Sequence, residues 1–181
     1  MKSVDVIIRP YQDDDADQVF QAVRESLFEL TPWMPWCHSE YSLKEARSWL
    51  EIQVAAFQEG TNFEFAIETE DGRYLGGCGL NQIDTVHRSA NLGYWVRSRA
   101  TGRGVATGAV RLLRNWGFEN TDLIRMEIVI AVENSASHRV AEKVGATREG
   151  VAFDRLFLQG RAHDASIFSF TRRGYRVGAP T

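Results

Sequence analysis

The chain opens with a short β-branched run, Val4 to Arg9, that stops at Pro10 and predicts a strand. The period then lengthens. Val19, Phe20, Val23, Leu27 and Leu30 recur at helical spacing. Asp13, Asp14 and Asp15 precede them, so acidic caps meet the positive end of that helix. Thr31-Pro32-Trp33-Met34-Pro35-Trp36-Cys37-His38 breaks the pattern as an aromatic, proline-bearing loop. Ser42-x-x-Glu45 is a capping box. It opens a second helix with Ala46, Trp49, Leu50, Gln53 and Phe57 on one stripe, ending near Gly60.

From there the pattern turns to strands: Phe63 to Thr69, Tyr74 to Ile83 and Ala90 to Val96. Asp71-Gly72 is a hairpin turn, and the short connections predict an antiparallel meander. A helix follows over Val105 to Phe118. Arg125 to Val132 is apolar on both faces, as a central strand should be. A short helix over Ser135 to Val144 stops at Gly145, and two strands, Thr147 to Leu158 and Arg161 to Phe170, flank Gln159-Gly160. Strand, helix and strand from the fourth strand to the fifth form a parallel crossover. The expected class is α+β: a mixed, mostly antiparallel twisted sheet of about seven strands with about four helices. Residues 1–181 are read as one domain.

Composition narrows the function. Apolar residues make up 44% and charged residues 25% of the chain, with a net charge of −3. Those values suit a soluble globular protein and supply no global field for nucleic acid. No apolar stretch is long enough to span a bilayer, and Met1 to Asp5 lacks the features of a signal peptide. Cys37 and Cys78 are read as bystander thiols, with no second Cys/His cluster to complete a metal site. The expectation is a cytoplasmic protein with no metal and no nucleic-acid or membrane partner.

The chemistry concentrates between the fourth strand and the helix after it. Gly102 and Gly104 let the backbone curl and bring several N–H groups together at a helix start. Arg99 and Arg103 add cations, and the result suits a pyrophosphate. The Gly-Lys-Ser/Thr of a Walker loop is missing, and Thr107 stands where a dinucleotide fingerprint needs its third glycine. Thr101-Gly102-Arg103-Gly104-Val105-Ala106 resembles the acetyl-CoA loop of the GNAT acetyltransferases, Gln/Arg-x-x-Gly-x-Gly/Ala, with Thr101 as a departure. Asn134-x-x-Ser137, continuing to Gly145-Ala146, is similar to that family's Asn-x-x-Ser helix. Gly93-Tyr94-Trp95-Val96 and the Trp-Met-Pro-Trp loop resemble the RimJ/RimL branch, which acetylates N-terminal amines of ribosomal proteins among others.

The resemblance implies the GNAT acyltransferase fold and acetyl-CoA as co-substrate. Thr101 to Thr107 would hold its pyrophosphate, and Tyr94, Trp95 and Val96 would run beside its pantetheine arm, where a bulge in the fourth strand opens a gap. Asn134 would bond that arm and cap its helix, and Ser137 would donate to the leaving thiolate. Where many relatives carry a glutamate, this chain has Asn91. Glu68 and Glu70, acting through water, and His38 are the candidate bases. Trp33, Trp36, His38 and Asn91 would wall the acceptor cleft, with Phe153, Arg155 and Phe157 bordering it. The implied reaction is direct attack of a primary amine on the thioester. The acceptor would be a protein N-terminus, a peptide or a small amine such as a polyamine. The alternative is an acyl-CoA-binding module with little catalysis. A monomer or a homodimer fits either reading.

Overall fold

A computed structural model describes residues 5–175. Val4 of the predicted first strand lies outside the described residues. β1 (Ile7–Pro10), α1 (Ala16–Glu25), α2 (Leu27–Leu30) and α3 (Leu43–Glu59) lead into the meander β2 (Phe63–Glu68), β3 (Tyr74–Asp84) and β4 (Ser89–Val96). α4 (Val105–Asn120), β5 (Arg125–Ala131), α5 (Ser135–Lys143), β6 (Thr147–Leu158) and β7 (Arg161–Thr171) complete the order. One seven-stranded sheet runs β1-β2-β3-β4-β5-β7-β6, antiparallel except between β4 and β5.

The alternation along the strands divides the core in two. Leu80, Leu92, Met126 and Phe168 pack with Val110 and Leu113 of α4 and Ala141 of α5 on one face. Ala66 and Tyr74 pack with Val19 and Val23 of α1 and with Ala46 and Leu50 of α3 on the other. The helices thus form a layer on each side of the sheet. The capping box is as the sequence predicts: Ser42 Oγ accepts from Glu45 N at 3.3 Å, and Glu45 Oε2 accepts from Ser42 N at 2.9 Å. Gly60 and Gly145 close α3 and α5 with φ of 71° and 74°.

Three expectations are revised. The stripe from Val19 to Leu30 is two helices, not one, which raises the count to five. Ser26 makes the break: its hydroxyl donates to Ala22 O at 2.7 Å and accepts from Ser98 N at 3.0 Å. A serine that bonds back to its own helix bends it, and here the same oxygen anchors the segment after β4. Secondly, Asp13–Asp15 form a 3-10 turn, and none of the three caps α1 with its side chain. Asp15 is buried and paired with Arg9. Finally, no bulge lies in β4. β3 and β4 stay in register from Gly76–Val96 to Asn81–Asn91, and the extra residue is on β3, where Gln82 has a φ of 50°.

Arg9 knots the start of the sheet to the helical layer. Its guanidinium lies 2.6 Å from both Asp15 and Glu68, whose side chains are 2% and 7% exposed. Removing the cation leaves two carboxylates facing each other out of water. Arg9→Met should lower unfolding free energy by about 3 kcal/mol at pH 7. Denaturant unfolding of parent and variant at pH 7 checks it.

Candidate active site

β4 and β5 pair at only three positions: Ser89–Arg125, Ala90–Met126 and Asn91–Glu127. Beyond these, β5 continues against β7 as far as Ala131–Ala165, while β4 continues against β3 alone. Main-chain groups alternate sides along a strand. Arg97 N donates to Leu75 O at 2.8 Å, so the odd-numbered residues of β4 face β3. The carbonyl of Leu92 and the amides and carbonyls of Tyr94 and Val96 therefore face an open seam. Tyr94 Oη reaches across it and donates to Ser137 O at 3.2 Å, and burial pushes its phenol up to about 12.

The glycine loop stands at the end of β4. Gly102 and Gly104 have φ of 71° and 82°, a region that L side chains rarely adopt. Gly104 is the first cap of α4 and offers no side chain, so the N–H groups of Val105, Ala106 and Thr107 have no partner among the described residues. Thr101 is turned inward: its hydroxyl and its amide both donate to Ser98 O, at 2.8 and 3.2 Å. The two predicted cations differ. Arg99 is paired with Glu25 at 3.1 Å, alongside Arg97 at 2.5 Å, whereas Arg103 makes no ion pair among the described residues. The hydrogen bonds from Arg97 lead in holding the Glu25 carboxyl below its ordinary value.

Asn134 and Ser137 face each other at the start of α5. Asn134 Oδ1 accepts from Ser137 N at 3.1 Å and caps the helix. Ser137 Oγ has no partner among the described residues, which leaves it able to donate to a ligand.

On the opposite face of the sheet, under α1 and α3, lies a cavity of about 510 Å³. Trp36, Tyr41, Trp49 and Trp95 wall it, with Trp36 and Trp95 packed edge to face at 6.0 Å. Gly77 and Gly93 lie in its floor, together with the main chain of Tyr94 beside the seam. A Cβ on Gly77 would stand 2.9 Å from Trp95 Nε1, so the indole can lie flat only over a glycine. Asn91 lines the cavity as expected. Trp33 and His38 do not line it; His38 Nε2 lies 2.8 Å from Oε1 of Glu45, which does. Phe153 and Phe157 are exposed on β6, 83% and 71%, and do not border it.

The carboxylates sort differently from the sequence reading. Glu68 is held by Arg9, and Glu70 is exposed in the β2–β3 turn. Neither lines the cavity, but Glu64 does. Its neighbour Asn81 donates from Nδ2 at 3.1 Å, and Asn81 Oδ1 accepts from Asn91 Nδ2 at 2.9 Å. Desolvation pushes the Glu64 carboxyl up to about 7, against the opposing hydrogen bond from Asn81. The strand Phe63-Glu64-Phe65-Ala66-Ile67-Glu68 held the signal. Its even positions share one face, and Glu64 is the acid there that lies opposite a glycine, Gly79. Burial raises both thiols, Cys78 strongly, so neither is a ready nucleophile.

Comparison with known proteins agrees with this geometry. Residues 5–147 match the acetyltransferase (GNAT) domain. The putative ribosomal N-acetyltransferase YdaF of Bacillus subtilis is 29% identical over 168 residues, covering 93% of this chain and 92% of its own. The spermidine N(1)-acetyltransferase of Escherichia coli is 27% identical, covering 66% and 69%. The structure of Mycobacterium smegmatis RimJ in complex with CoA-disulfide superposes with a TM-score of 0.81 at 29% identity, covering 93% and 82%. The open seam, the capless glycine loop and the matched domain converge: this chain belongs to the GNAT acetyltransferase family and is an N-acetyltransferase that takes its acetyl group from acetyl-CoA.

Proposed function

We propose that the acceptor is the N-terminal amine of a protein or peptide, bound in the aromatic cavity and acetylated through the seam. The observation that carries this reading is the composition of the cavity's polar lining. Asn81, Gln82 and Asn91 are neutral amides placed near one inner carboxylate, Glu64. Peptide groups match amide side chains, and one ammonium matches one carboxylate. The aromatic walls attract the amine in its cationic form. The relative named a putative ribosomal N-acetyltransferase supports the same acceptor. A polyamine is the second reading. Glu45, held below its ordinary value by hydrogen bonds from Ser42 and then His38, places a second negative charge at the mouth.

In this reading the free amides of Val105 to Thr107, with Gly102 to Gly104 and Arg103, hold the diphosphate of acetyl-CoA at a helix start. Its pantetheine arm adds to the outer edge of β4 at Tyr94 and Val96, as a strand would, with Asn134 beside it. The amine attacks the thioester carbon, the C–S bond breaks, and Ser137 Oγ donates to the departing sulfur. A thiol of ordinary pKa near 8.5 needs only modest help, so Ser137 assists rather than governs. We also place the protein in a reducing cytoplasm, a reading that two free, buried cysteines support.

Three outcomes test these assignments. Gly104→Glu puts a side chain at a φ of 82° and an anion beside an anion. CoA affinity measured by calorimetry should fall about 100-fold. Ser137→Ala should lower kcat by about 10-fold to 100-fold with little change in CoA affinity. With acetyl-CoA, a panel of peptides differing in the first residue should be acetylated with higher kcat/KM than spermidine. The reverse order would assign the cavity to polyamines.

A further inference from the structure

Acetyl transfer needs a free electron pair on nitrogen, so an acceptor that binds as ammonium must first lose a proton. Asn81, Gln82 and Asn91 line the cavity, and an amide is no base. Three rows of side chains cross the sheet beneath the cavity. One of them reads Glu64 on β2, Gly79 on β3 and Gly93 on β4. Neither glycine raises a side chain, and a Cβ on Gly79 would overlap the Glu64 carboxyl group. The carboxylate therefore lies across β3 towards the open edge of β4. In the next row Asn81 stands opposite Asn91, and the Asn91–Asn81–Glu64 hydrogen bonds run from β4 across β3 to the carboxylate.

We propose that Glu64 is the catalytic base of this enzyme, reaching the acceptor nitrogen from β2 over a glycine floor, with Asn81 and Asn91 as positioning residues. The proposal rests on the acetyl-transfer reading of the same cavity. Glu64 takes one proton from R–NH3+, and R–NH2 then forms the C–N bond. As the C–S bond breaks, the second nitrogen proton passes to sulfur by way of Ser137. Glu64 returns its proton to water, so the products are the amide, CoA thiol and one H+.

The surroundings suit that task. Tyr11, Tyr41 and Glu45 line the same cavity as Glu64, with Cys78 beneath on β3, and among the described residues no lysine or arginine lines it. Burial keeps Tyr11 and Cys78 protonated. Without a cation the carboxyl holds its proton up to about 7, far above its ordinary 4.5. A base poised near working pH transfers protons most effectively.

Glu64→Gln and Asn81→Ala test the proposal, with acetyl-CoA and either a serine-initiated peptide or spermidine as acceptor. Glu64→Gln should lower kcat at pH 7 about 10²-fold or more while leaving CoA affinity unchanged. Its defect should narrow towards pH 9, where an amine of pKa near 8 deprotonates unaided. Asn81→Ala removes a donor to the ionised form, so the rising limb of its pH profile should move to higher pH. Stability supplies a fold check. A carboxyl raised from 4.5 to about 7 makes the parent lose stability as pH climbs through that window, and Glu64→Gln should not share that loss. Carbon-13 NMR of labelled glutamate should place the resonance missing from Glu64→Gln near pH 7 in the parent. That titration needs no acceptor, so it separates this proposal from the choice of substrate. Titration near 4.5, or full turnover with an unchanged profile in a folded Glu64→Gln protein, would overturn it.

Discussion

β4 and β5 part after Asn91 and Glu127, and the Leu92 carbonyl and the main-chain groups of Tyr94 and Val96 are left without strand partners inside a sheet. A buried main-chain group without a partner carries a penalty of about 1–3 kcal/mol. A seam of this kind persists because both strands are satisfied elsewhere: β4 along β3, and β5 over its whole length along β7. Tyr94 braces the mouth by donating to Ser137 O. The sheet thus keeps a slot whose unmet hydrogen bonds match an extended amide-bearing chain, and pantetheine carries two amides. The glycine loop at one end of β4 and the capped Asn134–Ser137 turn beside β5 are useful only because this slot lies between them.

The same strand geometry decides where the acceptor can go. Alternation places Leu80, Leu92 and Met126 under α4 and leaves the opposite face of β3 and β4 to Gly77, Gly79, Gly93 and two asparagines. A run of side chains there would fill the space under α1 and α3. Glycines leave a cavity of about 510 Å³ that reaches the main chain of β4. The cavity has a consequence for stability. Glu64 sits in it without a counter-charge and strains against ionisation, whereas Glu68, four residues further along β2 on the same face, is neutralised by Arg9. One carboxylate of the strand is left unpaired in the cavity and the other is used as a fastener.

The sequence made the element order legible because each boundary has a local cause. Ser42 and Glu45 start α3, Gly60 and Gly145 stop helices, and Asp71-Gly72 turns a hairpin. The glycine loop was legible for the same reason, since positive φ at Gly102 and Gly104 is written in the residues themselves. What escaped depends on contacts between distant residues. Val19 to Leu30 has an unbroken helical period, yet Ser26 is drawn towards Ser98 N, 72 residues away, and the helix divides. Asp15 has the composition of a cap but meets Arg9. Glu64 and Glu68 are equivalent in local pattern. Only the strand register, which sets Gly79 opposite one and Arg9 beside the other, tells them apart.

The two halves of the reaction are also mechanically joined, through α1 and α2. Val19 and Val23 of α1 line the acceptor cavity. Glu25, at the end of the same helix, pairs with both Arg97 and Arg99 on the approach to the glycine loop. Ser26 accepts from Ser98 N, and Glu29 accepts from Ser98 Oγ at 2.6 Å. A rigid helix that forms the roof of one site and grips the loop of the other cannot shift at one end alone. In the proposed reaction, the distance from acceptor nitrogen to thioester carbon is then set by one body rather than by two loops that move separately. Attack within near-contact distance needs that fixity. This accounts for Glu25 holding Arg99, a side chain whose charge alone would have suited the diphosphate: the pair ties the loop to α1, and the proposal leaves the anion to the helix-start amides and Arg103.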